Sequence, residues 1–208
     1  MMEGWGVGGL GSSEMSKETK RPATYADLEA LPENVVGQII DGELIVMPRP
    51  AGQHGAAHTA LIGELYTPFQ RGNGGPGGWW FMTEPELHFG DDVLVPDIAG
   101  WRIDRMPEDL SAPFFTLAPA WVCEVLSPST AKLDRHRKSE IYAREGVGHV
   151  WLLDPVSRTL EVFQLRDAQW VRRGTWSGEV SVRAEPFEAL ELELARLWPR
   201  MPQPPRPP

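Results

Sequence analysis

Trp121-Val122-Cys123-Glu124-Val125-Leu126-Ser127 is the stretch from which the rest of the chain can be read. Successive side chains of a strand point to opposite faces, so Trp121, Cys123 and Val125 share one face while Val122, Glu124 and Leu126 share the other. Neither face is polar. Glu124 is therefore a carboxylate among apolar neighbours, where an ionised group must be paired, hydrated or metal-bound, because burying it alone is very costly. The following residues supply the topology: a helix is predicted from about Thr130 to Glu145, ended by Gly146, and then a strand at Val150-Trp151-Leu152-Leu153. Strand, helix and strand over this length predict a crossover, with two parallel strands and a right-handed connection.

Upstream, Val95-Pro96-Asp97-Ile98 sets a second carboxylate into a strand predicted from Val93 to Trp101. Trp79 to Thr83 and Glu86 to Phe89 read as extended chain and Asp91-Asp92 as a turn, so these segments predict an antiparallel meander. Gln38-Ile39-Ile40 and Glu43-Leu44-Ile45-Val46 flank Asp41-Gly42, a two-residue hairpin signal whose turn positions tolerate positive φ. From about His54 to Gln70, Leu61, Ile62, Leu65 and Phe69 recur at helical spacing, with His58 and Tyr66 at the border. Thr24 and Asp27 predict a short capped helix stopped by Pro32, and Thr159 to Leu165 predicts a returning partner strand. The expected fold class is α/β, with α and β mixed: a central mixed sheet that combines the meander with the crossover and is flanked by helices.

The 208 residues, 41% of them hydrophobic, suffice for one sizeable core. The expected organisation is a leader over 1–23, a single domain over 24–200 and a proline-rich tail over 201–208. Gly6, Gly8 and Gly11 have dinucleotide-fingerprint spacing, but they lack the preceding strand and following helix that give it a mechanism. Acidic residues outnumber basic ones 29 to 20, for a formal charge of -9, which argues against a protein that coats itself with nucleic acid. Any such contact is expected to be local. The single cysteine, Cys123, excludes an intramolecular disulfide and reads as a small buried hydrophobe, which suits a reducing cytosol. No run of about eighteen apolar residues predicts a membrane span. A cytoplasmic protein is expected.

Enough chain separates Asp97 from Glu124 for one strand to finish, loop and return beside the other. Oxygen ligands converging from two rigid strands suit magnesium or manganese, which keep several waters and accept phosphate oxygens. Such an ion supplies much of what phosphodiester hydrolysis needs. The most basic short segment, Lys132 to Lys138, lies in the predicted helix, and Asp134, Lys138 and Tyr142 share one side of it. Lys138 either reaches over the sheet to the carboxylates or forms an exposed pair with Asp134 worth about 0.3 to 0.5 kcal/mol. His54 and His58 stand one helical turn apart, a zinc-compatible spacing, but without a further ligand they read as helix-edge or core histidines. Trp121 and Trp151 are expected in the core.

The succession Pro96-Asp97, Glu124-Val125-Leu126-Ser127-Pro128-Ser129, Asp134, Lys138, Tyr142, Gly146-Val147, Trp151 and Asp154-Pro155 resembles the bacterial family of putative restriction endonucleases called Uma-two, within the PD-(D/E)XK nuclease superfamily. The likeness runs from about Thr24 to Trp176. It implies a restriction-endonuclease-like core and a magnesium- or manganese-dependent endonuclease acting on DNA, with Asp97 and Glu124 as the acidic metal ligands. The superfamily lysine two positions after the second acid is replaced here by Leu126, and the resemblance implies that Lys138 stands in for it as a third catalytic residue. Weaker candidates are Glu64 on the first core helix, Glu84 and Glu86 before Asp97, and Tyr142. Because the chain is acidic, a DNA-binding groove completed by a homodimer or another partner is expected. The alternative is a catalytically inactive interaction module that keeps the nuclease fold; a cysteine hydrolase using Cys123 would need an activating histidine.

Overall fold

The computed structural model describes residues 21–48, 52–106 and 111–198. The glycine fingerprint, most of the expected leader and the tail lie outside these residues. A short helix α1 (Tyr25–Glu29) is opened by Thr24, whose backbone N–H donates to the Asp27 carboxylate at 2.8 Å. Strands β1 (Val35–Ile40) and β2 (Glu43–Pro48) form the expected hairpin, with Ile40 opposite Glu43 and with φ of 52° at Asp41 and 73° at Gly42. Helix α2 (Gly52–Leu65) passes into a π-helical turn at Tyr66–Gln70. Pro68 accounts for that change, since it has no N–H and its ring crowds the carbonyl four residues back.

Five strands follow: β3 (Trp79–Thr83), β4 (Leu87–Phe89), β5 (Asp92–Leu94), β6 (Ile98–Arg102) and β7 (Trp121–Val125). The chain continues through α3 (Ala131–Leu133), a π-helical turn (Asp134–Lys138) and α4 (Ser139–Arg144), then β8 (His149–Asp154), β9 (Thr159–Arg166) and β10 (Gln169–Ser177). A small pair, β11 (Ser181–Val182) and β12 (Leu192–Glu193), comes last. The main sheet has the order β10-β9-β8-β7-β6-β3, antiparallel throughout except for the parallel β7–β8 pair joined by the helical crossover. A mixed α/β fold is therefore present.

The expected single strand from Val93 to Trp101 is two strands in different sheets. β5 joins β2-β1-β5-β4, and β6 joins the main sheet. Pro96 is the reason: it cannot donate to a ladder, and it restricts Val95 before it. The Val95 N–H goes instead to Gln38 Oε1 at 2.8 Å, and its carbonyl accepts from Lys138 Nζ at 3.2 Å. The turn expected at Asp91-Asp92 likewise falls one residue earlier, with Asp92 already in β5.

Alternation in β7 sorts the core as its sequence predicts. Trp121, Cys123 and Val125 pack with α2 and the C-terminal Phe187 and Leu197, whereas Val122 and Leu126 pack with Ile141, Tyr142 and the second sheet. Trp121 and Trp151 are buried and meet edge to face at 5.5 Å. Gly100, opposite Trp121, permits close packing: a Cβ there would lie 3.0 Å from Phe81 and 3.1 Å from Trp121.

Candidate active site

Asp97 sits at the bend just before β6. Ile98 is paired with Cys123, so the antiparallel register carried one residue further sets Asp97 opposite Glu124, on the face shared by Val122 and Leu126. The Val125 N–H donates to Asp97 Oδ2 at 2.7 Å. Glu84 follows β3, which pairs Thr83 with Ile98, and its N–H donates to the Asp97 carbonyl at 2.9 Å. Three strand ends thus converge on the Asp97 bend.

The crossover helix closes the other side. Lys138 Nζ lies 2.7 Å from Glu124 Oε1 and 3.5 Å from Asp134 Oδ1, and the Tyr142 hydroxyl donates to Glu124 Oε1 at 2.6 Å. The Asp134–Lys138 pair is therefore buried rather than on a solvated face, and Lys138 does reach over the sheet. Asp134 and Lys138 are the first and last residues of the π turn, an irregularity that recurs at functional sites. The Ser139 hydroxyl, donating to the Asp134 carbonyl at 2.8 Å, stabilises it. Leu126 faces the same side of the sheet as Glu124 and is packed in the core, so the ammonium group arrives from the helix instead.

Asp97, Glu124, Asp134 and Lys138 line a cavity of about 280 Å³ whose walls also include Val36, Met47, His54, Val95 and the turn from Ser127 to Thr130. Glu124 is 1% exposed, while the Asp97 side chain retains 16% exposure toward the cavity. Burial, reinforced by Asp134 and Asp97 and opposed by Lys138, pushes the Glu124 carboxyl up to about 8. Asp134 is also raised, chiefly by burial. Burial alone would lower Lys138, but Glu124, Asp134 and Asp97 outweigh it and raise its pKa, so the ammonium form persists. The Tyr142 phenol, pushed well up by burial and Glu124, remains a donor.

His54 is the residue the sequence reading undervalued. It occupies the core face of α2 with Ala57, Leu61 and Leu65, and its Nε2 lies 3.2 Å from Asp97 Oδ1. Burial lowers its pKa, but the Asp97 contact more than compensates and the net direction is up. Its signal was a polar residue on the buried stripe of a helix. His58 is lowered by burial. Gln38, fully buried in β1, carries the same kind of signal and holds the Val95 backbone.

Among the weaker candidates, Glu84 and Tyr142 lie at the site: Glu84 lines the cavity and Tyr142 bonds Glu124. Glu64 lies elsewhere, 3.5 Å from Arg196, and Glu86 accepts from Tyr25 at 2.9 Å and contacts His88 at 2.6 Å. Cys123 points to the opposite face, and burial raises its thiol pKa well above the usual range, which removes the thiolate a cysteine hydrolase needs.

Among the described residues, no group of three or more His, Cys, Asp or Glu side chains is arranged to hold a metal. An all-protein cage is thus not the arrangement here. Magnesium is commonly held by one or two carboxylates with water and substrate oxygens completing its shell, and Asp97 and Glu124 at one cavity match that donor set. Glu124 and Asp134 meet the single buried Lys138 ammonium with Asp97 beside them at the same cavity, and that excess of carboxyl groups over cations fits a divalent ion as well.

The sequence profile described as Uma2, putative restriction endonuclease, matches residues 22–196. The chain belongs to that family. No curated protein matches this Uma2 member. A solved structure of a putative nuclease belonging to DUF820, from Anabaena variabilis ATCC 29413, is 24% identical, superposes with a TM-score of 0.69, and covers 85% of this chain and 98% of its own. That likeness shows that the two share a fold. No helix among the described residues of the Uma2 chain is long and apolar enough to cross a membrane.

Proposed function

We propose that this Uma2 protein is a magnesium- or manganese-dependent endonuclease that hydrolyses phosphodiester bonds in DNA, with Asp97 and Glu124 as metal ligands and Lys138 as the assisting cation. The observation that carries this reading is the convergence of two carboxylates from adjacent strand ends with a buried ammonium 2.7 Å from one of them. A bound divalent ion would supply Lewis acidity at phosphorus and a more acidic water. The chain's own groups supply the rest. Val125 N–H and His54 fix both oxygens of Asp97. Tyr142 and Lys138 both hold Oε1 of Glu124, which lines the cavity. The Lys138 ammonium, its donors taken up by three protein oxygens, would act through its charge, offsetting the charge that accumulates on phosphate oxygens as water's oxygen bonds to phosphorus and releases a proton and the leaving oxygen departs with one.

A cytoplasmic location and a homodimer remain part of this proposal. The inactive-module alternative draws on Leu126 at the superfamily lysine position. The deciding experiment combines calorimetric titration of manganese with cleavage assays on varied DNA and RNA. Binding that Asp97→Ala abolishes, together with metal-dependent cleavage, supports the enzyme. Absence of both leaves the interaction module.

A further inference from the structure

We infer that the substrate is single-stranded DNA, taken into the cavity one nucleotide at a time, rather than continuous duplex; this rests on the nuclease reading above. The first observation is depth. Glu124, Asp134 and Lys138 are buried beneath the cavity wall, so a reacting phosphate must descend to them. A duplex is stiff over about 150 base pairs and presents its phosphates on a convex surface, which cannot follow into a space of about 280 Å³. A single strand bends at every nucleotide.

The second observation is the lining. Val36 and Met47 are cross-strand partners on the β1–β2 hairpin and, with Val95 and Pro128, make an apolar wall suited to the face of a base. The turn that carries Pro128 also lines the cavity with hydroxyls: that of Ser127 lies 3.0 Å from those of both Ser129 and Thr130, polar groups suited to a sugar-phosphate backbone.

The third observation concerns charge. Duplex binding is driven by cations that neutralise several phosphates at once. Much of the basic segment Lys132 to Lys138 is already engaged: Lys138 is buried against Glu124, Arg135 contacts Glu161, and Arg137 contacts Asp41 at 3.1 Å and Glu43 at 2.7 Å, with Lys132 and His136 exposed. The rim of the cavity also carries Glu84. Those contacts argue against a broad basic platform at this site and suit a substrate held by insertion.

The test uses the full chain with manganese, an oligothymidylate of about twelve nucleotides, and a blunt duplex containing the same strand. Cleavage of the single strand at least about tenfold faster than the duplex, with tighter binding by fluorescence anisotropy, is expected. Met47→Trp and, separately, Val36→Trp are chosen to fill the cavity while leaving the acids unsubstituted; each is expected to reduce single-strand binding and cleavage about tenfold or more while thermal unfolding shows a folded protein. Equal or faster duplex cleavage overturns the inference and leaves the nuclease standing. So does unchanged single-strand binding in a folded plug variant. Cleavage of neither substrate overturns both.

Discussion

The backbone N–H of Val125, the residue after Glu124, donates to the Asp97 carboxylate at 2.7 Å. The two acidic motifs are thus joined by a hydrogen bond as well as by strand pairing, and the orientation of one depends on the placement of the other. Asp97→Asn keeps the size of the side chain and an acceptor for Val125, but removes the charge. Calorimetry is expected to show loss of manganese binding, with cleavage reduced by about 10² or more and little change in the urea midpoint.

Lys138 is a structural cation as well as a proposed catalytic one. Lys138→Met leaves Asp134, and Glu124 once it ionises above its folded pKa of about 8, buried without their counter-charge, a loss expected to cost about 3–5 kcal/mol in urea unfolding at about pH 9. Adding Glu124→Gln removes one orphaned carboxylate, so the double variant is expected to be more stable than the sum of the single effects. Strict additivity in this cycle would show that the pair is not energetically coupled.

Tyr142→Phe deletes only the hydroxyl that donates to Glu124 at 2.6 Å. Below the folded Glu124 pKa of about 8 the acceptor is a neutral carboxyl, for which a hydrogen bond contributes about 0.5–1.5 kcal/mol, and a loss in that range is expected by urea unfolding at neutral pH. Cleavage is expected to fall less than in Asp97→Asn, because the metal-binding charges remain.

The raised Glu124 carboxyl sets a sign for stability against pH. Its folded pKa of about 8 exceeds the ordinary glutamate value, so between those two values the folded chain binds a proton that the unfolded chain has lost, and stability falls as pH rises. Above the folded value this contribution is flat. In metal-free buffer the melting temperature is expected to decline between pH 5 and 8, by roughly 2–4 °C for each kcal/mol involved. Glu124→Gln is expected to flatten that decline, and an unchanged slope would refute the assignment to Glu124.

Much of this arrangement is legible in residue order. The alternation from Trp121 to Leu126 correctly places Glu124 on a buried face, and the Asp41-Gly42 turn and the β7–β8 crossover follow from local signals. The break at Val95-Pro96 is less accessible, because a proline in an apolar run allows either an edge strand or a bend, and only the competing partners Gln38 and Lys138 decide between them. Burial of the Asp134–Lys138 pair is equally nonlocal: helical spacing sets which residues share a side, not what that side faces. The arginines of the same helix look available to phosphate until Asp41, Glu43 and Glu161, distant in sequence, are brought against them.

Val95 is gripped on its donor side by Gln38 of one sheet and on its acceptor side by Lys138 of the helix packed on the other. The peptide leading into Asp97 is consequently a seam between two separately laddered β layers. Slippage of one layer against the other would misalign Asp97 before either ladder melts, so heating should extinguish metal capture at a lower temperature than it abolishes the circular dichroism of the strands.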